Sequence, residues 1–343
     1  MKFKVKSLLT LGALATAAFA VSAQVTLKVH HFLPAGSFAQ TMFIKPWCDK
    51  IAVDSGDKMK CQIYPSMQLG GTPPQLFDQV KDGVVDIVWV LPGYMAGRFP
   101  LSEVFELPFM MQSPEGTSKA LWDFVHANPN VAAEFKDVKL IALHVHGDGV
   151  FHMTKKPVNT MADLKGLKVR APTRQTNKLL AALGATPVAM PVPQVSEALS
   201  KSVIDGALVP YEVVPAVKIQ ELAKFHSETD PVAPAIYTST FMFAMNKAKY
   251  DSLAPDLKKV IDANSGMATS AWLGKVQQSN DALGRKSAVE RNNAIYTFTA
   301  AETQEFIKLS SQIDDAWVAD MDKRGFKGKA LLDSAKALIA KHA

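Results

Sequence analysis

Short apolar runs alternate with helical patterns along much of the 343-residue chain, and this alternation restricts the fold more than any other feature. The runs VTLKVHHF (25–32), KCQIYP (60–65) and VVDIVWVLP (84–92) are each followed by a stretch with helical features. The third run is largely apolar, which is typical of a strand buried on both faces. Strands that alternate with helices predict βα units with mostly parallel pairing, so we predict an α/β protein.

The pattern changes after about residue 250. Residues 252–294 form a long helical run with one break near Ser265–Gly266, and the strand-like IYTFT (295–299) precedes two further helical stretches. An α/β chain that ends in long helices predicts two α/β lobes braced by helices. Ligands of such folds bind at the carboxyl ends of the strands.

The first 23 residues have the pattern of a secretory signal peptide. Lys2, Lys4 and Lys6 precede a short apolar run, and Val21–Ala23 fits a small-x-small cleavage site. The alternative is a membrane anchor, but the apolar run is shorter than the about 20 residues that a spanning helix needs. We therefore predict a signal peptide over 1–23 and a soluble, exported mature protein.

The two cysteines, Cys48 and Cys61, both lie in the predicted mature chain. Export places them in an oxidising compartment. Cys48 falls in a helical pattern and Cys61 in the strand that follows it, so packing of the helix on the strand would bring them within bridging range. We predict a disulfide, and two buried thiols are the alternative.

Composition and motifs argue against several classes of function. The net charge of +6 falls to about +3 without the predicted signal peptide, and the basic residues are scattered, so nucleic-acid binding is not indicated. Neither a G-x-S-x-G elbow nor a phosphate-binding P-loop occurs in the sequence, so a periplasmic hydrolase is only a rival interpretation. We expect no enzyme activity and no cofactor.

One arginine stands at the end of a predicted strand. In LKGLKVRAPT (164–173) the apolar residues Leu164, Leu167 and Val169 precede Arg170. A guanidinium group can bind a carboxylate through two parallel hydrogen bonds. The residues alone leave two roles open for Arg170, namely a structural pair with an acid of its own lobe or a contact with a bound carboxylate.

Several segments, taken in order, resemble the solute-binding proteins of tripartite ATP-independent periplasmic (TRAP) transporters. They are YPSMQLGG (64–71), VKDGVVDIVWV (80–90), DLKGLKVR (163–170), LGATPV (183–188), IDGA (204–207) and MNKAKYDSLAPDLKKVI (245–261). Together with the signal peptide they extend the resemblance over nearly the whole mature chain.

The resemblance implies a periplasmic protein that captures an organic acid and delivers it to a membrane permease. It implies the two-lobe periplasmic binding protein fold, with crossing strands and a long bracing helix, in which Arg170 clamps the ligand carboxylate. We expect lobe I to comprise 24–148 and about 236–270, and lobe II to comprise 149–235 and about 271–343. We expect a monomer.

Further pocket residues are inferred from the predicted strand ends. We expect contacts from His31, Phe32, Gln68, Leu69, Trp89, Leu91 and Tyr94 in the first lobe, from residues 146–152 with His152, from Met190 and from the segment LVPYE (208–212) with Val209 and Tyr211 in the second, and from Tyr237 and Phe241 on a crossing segment.

Two departures from the family pattern suggest the kind of acid. The segment HGDGVFHM (146–153) lacks an arginine that many relatives carry there, and Leu208 and Val209 stand where many carry polar residues. One carboxylate with an apolar body fits this site, so we predict an aromatic or branched 2-oxo or 2-hydroxy monocarboxylate. A sugar acid such as a uronate and a dicarboxylate remain alternatives within the family.

The histidines allow a rival hypothesis from another class, a metal-binding protein. His144, His146 and Asp148 share one face of a strand pattern, and His30, His31 and His152 were considered as neighbours. Two histidines and a carboxylate suit zinc or another transition metal. Alternation also explains a half-buried strand, so we predict no metal site and a histidine that hydrogen-bonds the ligand.

Overall fold

A computed structural model describes residues 24–343, and the predicted signal peptide lies outside these described residues. The strands are β1 Val25–His31, β2 Met59–Tyr64, β3 Ile87–Val90, β4 Val138–Val145, β5 Gly149–Met153, β6 Lys168–Ala171, β7 Thr186–Ala189, β8 Gly206–Pro210, β9 Phe225–Glu228, β10 Thr240–Asn246 and β11 Ala294–Thr297.

The α-helices alternate with these strands and dominate the C-terminal part of the chain. They are α1 Lys45–Asp54, α2 Leu76–Lys81, α3 Pro114–Ala127, α4 Pro129–Ala132, α5 Arg174–Ala182, α6 Val195–Ser200, α7 Ile219–Leu222, α8 Lys247–Ser252, α9 Pro255–Ala263, α10 Met267–Val289, α11 Ala300–Lys323 and α12 Gly328–His342. Short 3₁₀ turns and one π-helical turn, Ala39–Ile44, precede or link several of them.

The strands form two sheets, one in each lobe. The first has the order β2-β1-β3-β10-β4 and the second the order β11-β9-β5-β8-β6-β7. The α/β class and the two-lobe fold are confirmed. The strand β3 is buried at every position, and it is the central strand of its sheet.

Pairing in the sheets is mixed rather than mostly parallel. In the first sheet β1 is parallel to both β2 and β3, whereas β10 is antiparallel to β3 and β4. In the second sheet β6 is parallel to β7 and β8, and β5 is antiparallel to β8 and β9. The strands in the antiparallel pairs are β10 and β5. Each enters its sheet from the other lobe, so it runs in the opposite direction to the strands beside it.

The apolar run 138–150 is two strands rather than one. It divides after Val145, so that β4 belongs to the first sheet and β5 to the second. The division falls at Gly147, where a Cβ atom would stand only 1.6 Å from Oδ2 of Asp281 on α10. A second crossing, 229–239, leads from β9 back to β10.

Helix α10 braces the two lobes. Near its start Gly274 packs against the backbone of Pro114 in α3, and near its end Gly284 packs against the carbonyl of Tyr211, just after β8. The break predicted near Ser265–Gly266 is present, since α9 ends at Ala263 and α10 begins at Met267.

The disulfide predicted between Cys48 and Cys61 is confirmed, with the two Cα atoms 5.6 Å apart. It ties α1 to β2 at the edge of the first sheet. Among the helices of residues 24–343, none has both the length and the apolar character needed to cross a membrane.

Candidate functional site

A small cavity lies at the carboxyl ends of the strands, with walls from both lobes. Residues that follow β1, β3, β6 and β8 converge there, as expected for ligand sites of α/β sheets. The lining residues are Phe32, Leu33, Trp89, Leu91, Tyr94, His146, Arg170, Pro172, Val192, Val209, Pro210, Glu212, Val213, Tyr237, Ser239 and Phe241.

Arg170 is the cation of this cavity and has only 2% of its surface exposed. Its Nε donates to the Met190 carbonyl at 3.0 Å and its Nη1 donates to the Leu208 carbonyl at 2.8 Å. Among residues 24–343, no carboxylate oxygen lies within 4.0 Å of its guanidinium nitrogens. A guanidinium has five N–H groups, so donors remain for a ligand. Burial of such a cation without an anion is costly, which makes an anionic ligand the expected partner.

The neighbouring Arg174 shows the opposite arrangement. Its Nε and Nη2 donate to Oε2 of Glu103 at 2.9 and 2.6 Å, and its Nη1 donates to Oδ2 of Asp320 at 3.0 Å. Arg174 therefore forms a structural ion pair, whereas Arg170 is held in place by neutral carbonyl groups that leave its charge uncompensated.

Two tyrosines stand near the guanidinium of Arg170. Burial raises the pKa of Tyr94, and the charge of Arg170 acts in the opposite direction; the Tyr94 hydroxyl also accepts a hydrogen bond from the Val192 amide at 3.0 Å. Burial likewise raises the pKa of Tyr237, again against the effect of Arg170. Both phenols are therefore neutral and available as hydrogen-bond donors beside the cation.

Flat side chains form one wall of the cavity. Phe32 stacks on Trp89 with ring centroids 5.0 Å apart, and Trp89 stacks on Phe241 at 4.7 Å. His144 continues the stack on Phe241 at 4.8 Å and accepts a hydrogen bond from Nε1 of Trp89 at 2.9 Å. Offset stacking of this kind favours an aromatic ligand by about 0.5–1.5 kcal/mol per pair beyond area burial.

The histidines considered for a metal have other partners. His146 donates from Nδ1 to the Gly147 carbonyl at 2.6 Å and accepts at Nε2 from the Ser239 amide at 3.0 Å. Burial lowers the pKa of both His144 and His146 to about 3, so both rings are neutral. Within the part of the chain that the structure describes, no three His, Cys, Asp or Glu side chains are grouped so that they could hold a metal ion.

Some residues predicted for the pocket line the cavity and others do not. Lining residues from the prediction are Phe32, Trp89, Leu91, Tyr94, His146, Arg170, Val209, Pro210, Glu212, Tyr237 and Phe241. Met190 contributes its carbonyl to Arg170, while its side chain lines a separate groove outside the cavity. The structure also places His31, Gln68, Leu69, His152 and Tyr211 elsewhere.

The predicted residues that do not line the cavity have other surroundings. His31 is buried behind the edge of Trp89, where its Nε2 donates to Oε1 of Gln40 at 2.8 Å. His152 lies in the core of the second lobe and donates from Nε2 to the Val209 carbonyl at 3.0 Å. Gln68 is exposed in the turn after β2, and Tyr211 lines a different pocket beside Asp148.

Sequence reasoning did not single out several lining residues, namely Leu33, Pro172, Val192, Val213 and Ser239. Pro172 directly follows Ala171, the last residue of β6, and Leu33 follows Phe32 after β1, so the strand-end rule could have found both. Ser239 lies on the crossing segment before β10, where no periodic pattern indicates a face.

The fold and the cavity define a two-lobed protein of the binding-protein class, with a cavity between the lobes beside a buried arginine. Residues 29–320 match the model of the family described as bacterial extracellular solute-binding protein, family 7. The chain belongs to this family and is a TRAP transporter solute-binding protein. Its family and the solved structures it resembles are binding proteins rather than enzymes.

Three solved structures resemble the chain over most of its length. A TRAP solute-binding protein from Rhodoferax ferrireducens, in complex with copurified benzoate, is 55% identical, covers 93% of this chain and 98% of its own, and has a TM-score of 0.92. A marine metagenome protein specific for aromatic acid ligands, bound to metahydroxyphenylacetate, is 44% identical over 93% and 99%, with a TM-score of 0.90. A Bordetella bronchiseptica protein with bound (R)- and (S)-mandelate is 28% identical over 92% and 99%, with a TM-score of 0.84.

Proposed function

We propose that this protein binds a small aromatic monocarboxylate between its lobes, with the carboxylate on Arg170 and the ring against the aromatic wall. The single observation that carries this proposal is the buried guanidinium of Arg170, which faces a small cavity without any carboxylate of the described residues within 4.0 Å. TRAP binding proteins bind small organic acids and work with a membrane permease, so the bound acid would be handed to such a permease.

The cavity walls support an aromatic acid over the alternatives. Arg170 is the arginine that lines the cavity, and most of the other lining side chains are apolar or aromatic. A second carboxylate would lose its hydration without a second cation to pair with, and a uronate carries more hydroxyl groups than the few polar side chains of this wall can pair. The benzoate and metahydroxyphenylacetate found in two similar structures support the same ligand class.

We also propose the cellular setting and the division into lobes. Residues 1–23 would direct export to the periplasm, where the mature chain would act as a monomer without nucleic-acid partners. The membership of the strands in the two sheets supports lobe I as 24–148 with about 236–270, and lobe II as 149–235 with about 271–343.

The proposal is tested by calorimetry on protein that has been unfolded and refolded to remove copurified ligand. Benzoate, mandelate, a branched 2-oxo acid, succinate and glucuronate are compared. We expect the aromatic acids to bind most tightly. Binding of succinate or glucuronate in preference to every aromatic acid would overturn the ligand class.

Two arginine variants test the clamp. Arg170→Ala is expected to weaken binding at least about thirtyfold, because loss of one partner of a buried charge pair costs about 2–5 kcal/mol. Arg174→Ala serves as the matched control, since Arg174 is already paired with Glu103 and Asp320. We expect the Kd of the control to stay within about threefold of wild type, and equal losses in both variants would contradict a direct role for Arg170.

A further inference from the structure

The cavity contains more hydrogen-bonding groups than an unsubstituted aromatic acid can use. Besides Arg170, the hydroxyls of Tyr237 and Ser239 are buried in its wall, and neither has a hydrogen-bond partner among the described residues. Tyr237 is 1% exposed and Ser239 is fully buried. Buried polar groups are normally satisfied, and an unsatisfied one costs free energy, so two such hydroxyls in one ligand cavity indicate polar atoms on the ligand.

Contacts with neighbouring groups hold these two residues in the cavity wall. The amide of Ser239 donates to Nε2 of His146 at 3.0 Å, which anchors the backbone at the serine. The ring of Tyr237 packs closely against Gly149, where a Cβ atom would stand 2.0 Å from the ring. Both residues therefore line the cavity from anchored positions.

A carboxyl group joins them. Glu212 lines the same cavity, is 7% exposed, and only its backbone amide is engaged, through a bond to Oδ1 of Asp281 at 3.0 Å. Burial, and then the neighbouring Asp281, raises the pKa of Glu212 well above its ordinary value, which favours the neutral form that can both donate and accept. The Tyr237 hydroxyl lies close enough for its pKa to respond to both Arg170 and Glu212.

We propose that Tyr237, Ser239 and Glu212 form a polar subsite that binds a hydroxyl group of the ligand, so that the protein selects hydroxylated aromatic monocarboxylates over unsubstituted ones. This inference rests on the proposed function and names the substrate more closely. The carboxylate occupies Arg170, and the subsite pairs with the hydroxyl. A site built to hydrogen-bond a hydroxyl discriminates strongly against the analogue that lacks it, because its own buried groups are then left unpaired.

Calorimetry with matched ligands tests the selection. The ligands are benzoate, the three hydroxybenzoate isomers, the three methylbenzoate isomers, and mandelate against phenylacetate. We expect at least one hydroxylated acid to bind more than tenfold tighter than its unsubstituted parent and than its methyl counterpart. If benzoate binds and no hydroxylated acid exceeds its parent by tenfold, the subsite is wrong while the proposed function stands. If no aromatic acid binds, the proposed function itself fails.

Conservative variants identify the side chains that recognise the hydroxyl group of the ligand. Tyr237→Phe and Ser239→Ala each remove one oxygen, and Glu212→Leu removes the carboxyl group. For each variant we divide the Kd of the unsubstituted acid by the Kd of the hydroxylated acid. We expect each removal variant to lower this ratio at least about threefold, while the Kd for benzoate changes less than threefold. Glu212→Gln keeps a neutral donor and acceptor and is expected to preserve the ratio. Val213→Ala, which alters an apolar part of the same wall, is the control. An unchanged ratio in all three removal variants would overturn the subsite.

Discussion

At the scale of single residues, the buried carboxyl groups where the lobes meet link stability to pH. Asp281 of α10 lies against Gly147 in the first crossing. Burial raises the pKa of Asp281 to about 8, with a further contribution from Asp148, and burial raises the pKa of Asp148 to about 6. The native state therefore holds these protons more tightly than the unfolded chain does.

The sign of the pH effect follows from these shifts. The stability that protonated Asp281 contributes is fully present below pH of about 4 and is lost as the pH rises towards 8. We expect the free energy of unfolding to fall across this window, and Asp281→Asn to remove part of the slope, on the order of a few kcal/mol. Urea unfolding at a series of pH values measures it. Asp49→Asn, at an exposed position of α1, should leave the slope unchanged; an equal slope in Asp281→Asn would contradict the assignment.

Residue-scale reasoning from the sequence identified the chemistry better than the contacts. Arg170 and the aromatic residues Phe32, Trp89 and Phe241 were predicted from strand ends and family resemblance, and the structure places them around one cavity. His31 immediately precedes Phe32, yet it packs behind Trp89, because neighbouring residues of an extended chain point to opposite sides. Sequence patterns indicate where a strand ends, but they do not show which residues after that end face the cavity.

At the scale of elements, the contact of α10 with the segment after β8 depends on the absence of a side chain. A Cβ atom at Gly284 would stand 1.9 Å from the Tyr211 carbonyl oxygen, so the helix must shift to accept one. Glycine to alanine inside a free helix usually stabilises by about 1 kcal/mol. At Gly284 the effect on stability should have the opposite sign.

We therefore expect Gly284→Ala to destabilise the protein by about 1–3 kcal/mol through overpacking. It should also weaken ligand binding, since Tyr211 adjoins the cavity residues Pro210 and Glu212. Thermal unfolding and calorimetry measure the two effects. Leu283→Ala, at the exposed neighbouring position, is the control. A Gly284→Ala protein as stable as wild type would show that the close contact is not maintained.

The disulfide gives a second prediction at this scale. Replacing both Cys48 and Cys61 by alanine removes a bridge across 13 positions of sequence, with an expected loss of about 2–3 kcal/mol. Ligand affinity should be retained, because β2 is the outer strand of its sheet and neither cysteine lines the cavity. A reductant should lower the melting temperature of wild type and leave that of the double variant unchanged. An equal response of both proteins would contradict a stabilising bridge.

Element boundaries were the part of the fold that sequence patterns predicted least well. The α/β class, the first three strands and the break before α10 follow from periodicity and glycine positions, whereas β7 and β9 were not predicted. The division of 138–150 into β4 and β5 does not, because both halves are apolar and extended. Asp281 packs against Gly147 at the point of division, and that contact joins residues far apart in the sequence.

At the scale of the whole molecule, the lobes share elements and should unfold together. The chain passes between the sheets at 146–148 and at 229–239, and α10 contacts both lobes. We expect one cooperative transition in calorimetry. A bound aromatic acid at 100 times its Kd should stabilise the entire molecule by about 2.7 kcal/mol. Two separate transitions, with only one moved by ligand, would show that the lobes are independent units.

The position of β10 has a consequence for how the chain reaches its native state. β10 lies between β3 and β4, so the first sheet has a gap until residues 240–246 are present. β1, β2 and β3 can pair as soon as residues 25–90 are present, whereas β4 has no place beside them until β10 is made. A chain that emerges from its N-terminus must therefore complete residues 240–246, about two thirds of its length, before the first sheet can close.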